Sequence, residues 1–195
     1  MRVLLVSEGV HEASGSLETL VCRIVSQDLT CEWRALKDSK LRLHRGKGNR
    51  LFKRAVGWIR EAQSNGFDAL ILLVDRDDEP TRIKEISKAQ EENYLTQDFP
   101  RALGVAIRSF DAWMLADEQA LAKVLGRLVN AQPAPEENDD PKADCERLRS
   151  ASDTSLRLRE LYAQVATVAD LACIERRCPH GFGNFAKRLR DLKMT

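Results

Sequence analysis

Asp75, Asp77, Asp78 and Glu79 crowd four carboxylates into five positions, directly after the apolar run Ala69–Val74. Carboxylates this close repel one another unless a cation or a basic group offsets them. Their oxygens suit Mg²⁺ or Mn²⁺, hard cations that prefer oxygen ligands and retain water. A metal held there would neutralise phosphate charge and polarise an attacking water. The same residues also read as a solvated acidic turn, with Asp78 or Glu79 capping a helix after Pro80. Glu8 ends a second apolar run, Arg2–Val6, and Gly9 lets the backbone turn tightly there. His11 and Glu12 follow closely, and Asp111 stands after a third run, Leu103–Ile107. His11 reads either as a proton shuttle or as a surface or capping residue.

These carboxylates need elements to hold them. Ala69–Val74 is rich in branched residues and too short for a free-standing helix, so it reads as a strand buried on both faces. Arg2–Val6, Cys31–Leu36 and Leu103–Ile107 read as three more strands. Between them lie helical patterns. Leu17, Leu20, Val21, Ile24 and Val25 share one face, as do Leu51, Ala55, Trp58, Ile59 and Ala62. Ser64-Asn65-Gly66 stops the second helix, and Thr81–Tyr94 reads as a third, polar and exposed. Strand and helix alternate, which implies an α/β fold, Rossmann-like, with a mostly parallel sheet and helices on both faces. Ligands bind such sheets at the C-terminal edge of the strands, where Glu8 and Asp75 fall. The expected division is an α/β core over 1–130 and a C-terminal helical extension over 131–195, packed on the core. The extension opens with Asn130–Pro141, a Pro-rich acidic loop expected to be mobile surface, and ends in a helix from Asn184 to Leu192.

Over its 195 residues the chain balances 31 basic against 30 acidic side chains, which excludes a generally basic nucleic-acid coat. Charge is segregated instead. Lys37–Arg54 carries eight Lys and Arg against one acid, Asp38, and Gly46 and Gly48 make its middle flexible. That suits phosphate contact through Lys40, Arg42, Arg45, Lys47 and Arg50; the alternative is a solvated loop leading into a basic helix face. It is no Walker loop, because the GxxxxGK[ST] spacing is missing. Five cysteines form no CxxC pair, as expected of reduced thiols in a cytoplasmic protein. No apolar run approaches a membrane span, and Met1–Val6 is too short for a signal sequence. A nucleophile elbow is absent around Ser7. Receiver and haloacid-dehalogenase domains place their acidic motif after strand one, whereas this DxD follows strand three.

Glu8-Gly9 after the first strand, with Asp75-Arg76-Asp77 after the third, resembles the Toprim domain of type I and II topoisomerases, bacterial primases and overcoming-lysogenization-defect nucleases. Glu8–Glu12, the Asp111–Asp117 run and the Cys178-Pro179…Phe182…Phe185-Ala186-Lys187 stretch are similar to small stand-alone Toprim-like proteins encoded beside ABC- or AAA-type ATPases in phage-defence loci. The resemblance implies a nuclease in which Asp75 and Asp77 hold Mg²⁺ or Mn²⁺ and Glu8 is general acid/base or a further ligand. Glu12 and Asp111 would serve a second metal, and Lys187 would stabilise a pentavalent phosphate. It implies DNA or RNA, an ATPase subunit and a second copy of the chain in a homodimer as partners, without a membrane. The alternative is a non-catalytic Toprim-like module that binds a nucleotide or nucleic acid and regulates an ATPase.

Overall fold

The computed structural model describes residues 1–9 and 14–192. Strands β1 (Arg2–Ser7), β2 (Thr30–Ala35), β3 (Ala69–Asp75) and β4 (Arg101–Ala106) form one parallel sheet in the order β2-β1-β3-β4. Helix α1 (Ser16–Val25) joins β1 to β2, α2 (Arg50–Ser64) joins β2 to β3, and α3 (Thr81–Gln90) joins β3 to β4. After β4 come α4 (Phe110–Leu115), α5 (Glu118–Leu125), a 3₁₀ turn at Pro135–Glu137, α6 (Pro141–Ser150) and α7 (Leu158–Val168). The chain closes with α8 (Leu171–Arg177), a π turn at Pro179–Gly183 and α9 (Asn184–Arg190).

Both faces of the sheet are covered, as uninterrupted apolar strands require. Successive side chains alternate between faces. Leu4, Val6, Leu70, Leu72 and Val74 pack under α2 and α3, against Val56, Ile59 and Ile86. Val3, Leu5, Ile71 and Leu73 face the other way, onto Leu17, Leu20 and Val21 of α1. Tyr162 and Val165 of α7, with Phe185 and Leu189 of α9, belong to that same cluster. Trp113 is fully buried there, stacked on Phe185 and edge-on to Phe182. Residues after 130 therefore complete one face of the sheet; without them β1 and β3 would expose an apolar surface.

The Asn130–Pro141 loop departs from the expectation of mobile surface. Glu136 is buried, and its carboxylate accepts the backbone N–H groups of His180 (3.1 Å) and Gly181 (2.5 Å). The loop is thus tied to the π turn by an acid that satisfies two backbone donors. A Cβ at residue 181 would lie 2.7 Å from Glu136 Oε1 and 2.9 Å from Ile107 N, so only glycine fits there.

Burial raises the Glu136 pKa above the usual carboxylate value of 4.5, against the opposing pull of the Gly181 and His180 N–H groups. The folded chain then holds that proton more tightly than the unfolded chain does. The sign follows: this contribution to stability is fully present at low pH and is lost as pH rises through the raised folded-state pKa. Glu136→Gln cannot ionise and keeps one acceptor oxygen for the two N–H groups, a loss that does not vary with pH. Its melting temperature relative to wild type is expected to rise between about pH 4 and about pH 7. A difference that stays constant in melts across this range would contradict the account. Glu136→Ala leaves two donors without their acceptor and is expected to cost about 1–3 kcal/mol.

Candidate functional site

The sheet order sends the chain from β1 outward to β2, then back past β1 to β3 and β4. The winding direction changes between β1 and β3, which is where open α/β sheets place their ligands. Ser7 pairs with Leu73, so Glu8 emerges beside the end of β3. Glu8 Oε2 accepts the backbone N–H of Asp75 at 3.2 Å. Adjacency of two parallel strands thus brings Glu8 together with Asp75 and Asp77, whose backbones follow directly.

Arg82, in the first turn of α3, organises this edge. Its Nη1 donates to Glu8 Oε2 and to the Asp75 carbonyl, each at 2.6 Å, and lies 3.3 Å from Asp77 Oδ2. Its Nε reaches Glu79 Oε2 at 3.3 Å. Burial opposes the Arg82 charge, but Glu8, Glu79 and Asp77 outweigh it and its pKa lies above the ordinary value. The repulsion among the crowded acids is therefore offset by one guanidinium. Asp75 Oδ1 accepts the N–H of Phe110 at 2.8 Å, which ties β3 to the start of α4.

A cleft of about 440 Å³ opens at the ends of β3 and β4. Asp75, Asp77, Asp78, Asp111, Asp139 and Asp140 line it, against the cations Arg108 and Lys142. Arg108 bridges Asp78 (3.1 Å) and Asp139 (2.7 Å), so the loop before α6 closes the cleft. Asp77 (φ 49°) and Arg108 (φ 62°) both sit in the left-handed region, and the Asp77 N–H donates to the Arg108 carbonyl at 2.9 Å. For residues other than glycine that conformation costs roughly 1–2 kcal/mol each, and such strain gathers at functional sites. Here it turns both side chains into the rim of one cleft.

Asp111 reaches the same cleft from α4, but it is buried and its Oδ1 accepts the hydroxyl of Tyr162. Burial, then the neighbouring Cys145 and Asp111, push the Tyr162 pKa upward, so the tyrosine stays a donor. Glu12 and His11 lie outside the described residues. Lys187 is exposed on α9 and does not line the cleft; the structure does not bring it to the carboxylates. Lys142, at the start of α6, is the lysine that does. Among the basic candidates, Lys40, Arg42 and Arg45 line a broad surface groove with His44 and Arg60. Lys47 is exposed in the adjoining loop, and Arg50 begins α2 next to Glu8.

Every donor offered by the cleft's acids is oxygen, which fits Mg²⁺ or Mn²⁺ in kind. Among the described residues, however, no three Asp, Glu, His or Cys side chains converge as a preassembled metal site. Arg82 holds Glu8 and Asp77, and Tyr162 holds Asp111. A divalent cation would compete with Arg82 for Asp77, whose side chain is 60% exposed and free to turn.

Arg82, Arg108, Lys142 and Tyr162 were not singled out by sequence. Only Arg82 left a local signal, its three-residue spacing from Glu79, which is the spacing of helical ion pairs. Arg108 and Tyr162 depend on contacts over thirty or more positions, and Lys142 on a cleft that the fold assembles.

The profile of a domain of unknown function, DUF4276, matches residues 13–190, which takes in Asp75, Asp77 and Asp111. No curated protein and no solved structure matches the chain.

Proposed function

We propose that the chain, which belongs to the DUF4276 family, is a Toprim-like, divalent-metal-dependent nuclease. The observation that carries this reading is the 3.2 Å contact between Glu8 and the Asp75 backbone at the point where the sheet changes winding direction. A carboxylate cleft lined by Asp75, Asp77 and Asp111 stands next to it. Six acids facing two cations repel a phosphodiester, so a nucleic acid can enter only with a divalent cation to offset them. Asp75 and Asp77 would hold Mg²⁺ or Mn²⁺, with Asp111 at the buried side. A metal held there would supply charge neutralisation at the phosphate and activation of a water.

The chain's own groups supply the rest. Glu8, once Arg82 turns to the substrate, is free to take or give a proton at the scissile phosphate. Arg82 donates to phosphate oxygens as the negative charge on them grows. Lys40, Arg42, Arg45, Lys47 and Arg50 carry the phosphate backbone toward the site. Lys142 lines the acidic cleft, and we assign to it the phosphate-stabilising role that the resemblance implies for Lys187.

One observation favours a second reading. Arg82 fills the gap between Glu8 and Asp77, so the resting site needs no metal to balance it. A non-catalytic module that binds nucleic acid and regulates an ATPase would need nothing more. In either reading the resemblance supports an ABC- or AAA-type ATPase as partner. Five free cysteines support the cytoplasm as its place, and among the described residues no helix is long and apolar enough to cross a membrane. Incubating the purified chain with plasmid, single-stranded DNA and tRNA, with Mg²⁺, Mn²⁺ or EDTA, separates the two. Cleavage that appears with metal and vanishes with EDTA is expected; binding without cleavage under all conditions would select the regulatory module.

A further inference from the structure

A second cavity, about 480 Å³, is lined by Arg82 and shares no lining residue with the acidic cleft. Glu8 lines it, together with Lys37, Arg50 and Arg54. Backbone pairing explains the assembly. The N–H of Leu36 donates to the Ser7 carbonyl at 2.7 Å, which sets Lys37 beside Glu8 as the chain leaves β2. Arg50 and Arg54 are one turn apart on α2, on the side turned to the same spot.

The acids in this cavity are already engaged. Glu8 and Glu79 hold Arg82, and Glu85 accepts the side-chain amide of Asn49 at 2.7 Å. Among the described residues, Lys37, Arg50 and Arg54 make no salt bridge. Arg54 Nε is buried with no hydrogen-bond partner. A guanidinium N–H left unbonded is costly, and such a donor is met by water or by a ligand. Burial, then the neighbouring Arg50, lower the Arg54 pKa, and a bound anion would offset the repulsion from Arg50. The cavity also opens at the positive end of α2, a 15-residue helix with no acid in its first turn and no side-chain cap from Asn49.

We propose that Lys37, Arg50 and Arg54 form a phosphate site, which seats one phosphate group of a nucleic-acid strand beside Glu8. The site stands on this geometry alone; only its assignment to a nucleic-acid strand rests on the function proposed above. Arg82 lines this cavity and lies 3.3 Å from Asp77, which lines the acidic cleft, so the two are joined through that contact. A strand anchored at Arg54 therefore presents its neighbouring phosphate to Glu8 and to the acidic cleft. Planar guanidinium groups suit such a site because they bind phosphate oxygens in pairs.

The test is calorimetric titration of the full chain with inorganic phosphate, in EDTA and at fixed ionic strength. Wild type is expected to bind, and Arg54→Met to bind roughly tenfold more weakly or worse. Lys37→Gln combined with Arg50→Gln should weaken binding comparably; both residues are exposed, so this variant keeps the test readable if Arg54→Met fails to fold. Absence of phosphate binding by wild type, or unchanged binding in the folded variants, would overturn the site. Oligonucleotides with a 5′-phosphate or a 5′-hydroxyl then identify the source. Equal affinities, both lost in the variants, assign the site to a backbone phosphate; a preference for the 5′-phosphate, lost in the variants, assigns it to a strand end. Phosphate binding in EDTA by a chain that does not cleave with Mg²⁺ or Mn²⁺ would remove the nuclease reading and leave the site. Cleavage by a chain that binds no phosphate would do the reverse.

Discussion

Asp77→Asn is expected to lower metal-dependent cleavage by more than about 100-fold, since even outer-sphere partners of a metal are worth 10–100-fold. The fold should survive. The Asp77 side chain is 60% exposed, and its 3.3 Å contact with Arg82 is one of several that Arg82 makes. The Arg82 side chain is largely buried, but it keeps Glu8, Glu79 and the Asp75 carbonyl, so losing this one solvent-exposed partner is expected to cost about 1 kcal/mol or less. Asparagine also tolerates the left-handed backbone that residue 77 adopts at φ 49°. Melting curves with and without Mn²⁺ give an independent readout. A ligand that binds only the folded chain stabilises it by about 2.7 kcal/mol at a hundred times its dissociation constant. Wild type should show such a gain and Asp77→Asn should lose it. Equal gains in both would mean that Asp77 is no ligand.

The second large effect concerns salt. Replacing Arg42, Arg45 and Lys47 together with Gln should flatten the dependence of log affinity on log salt by about two to three units. Each phosphate contact contributes roughly 0.7 to 0.9 to that slope through counterion release. Arg42 and Arg45 line one groove with Lys40 and Arg60, so they can follow a backbone without inserting into bases. Sequence preference should not change, because phosphate contacts carry no direct sequence information. An unchanged slope in filter-binding titrations would make the segment a solvated loop.

The strand tips were legible because continuous apolar runs ending in acids have few structural solutions. Ala69–Val74 could only be a doubly buried strand, and the alternation of strands and helices then set Glu8 near Asp75. What joins these residues was not legible. Arg82 reads as one more charge on a polar helix until β1 and β3 lie side by side. Glu136 looked like part of an exposed acidic loop because the N–H groups it accepts belong to His180 and Gly181, over forty positions later. Asp111 reads as an open ligand until α7 brings the Tyr162 hydroxyl to it. Charge in sequence marks where polar groups are; which of them are already paired is decided by tertiary contacts.

Anomalous diffraction from crystals soaked in Mn²⁺ tests the central claim most directly. The account predicts a manganese peak in the cleft bounded by Asp75 and Asp77, with Asp77 turned away from Arg82. A cleft without manganese, its Arg82 still bonded to Glu8 and Asp77 at saturating metal, would contradict it.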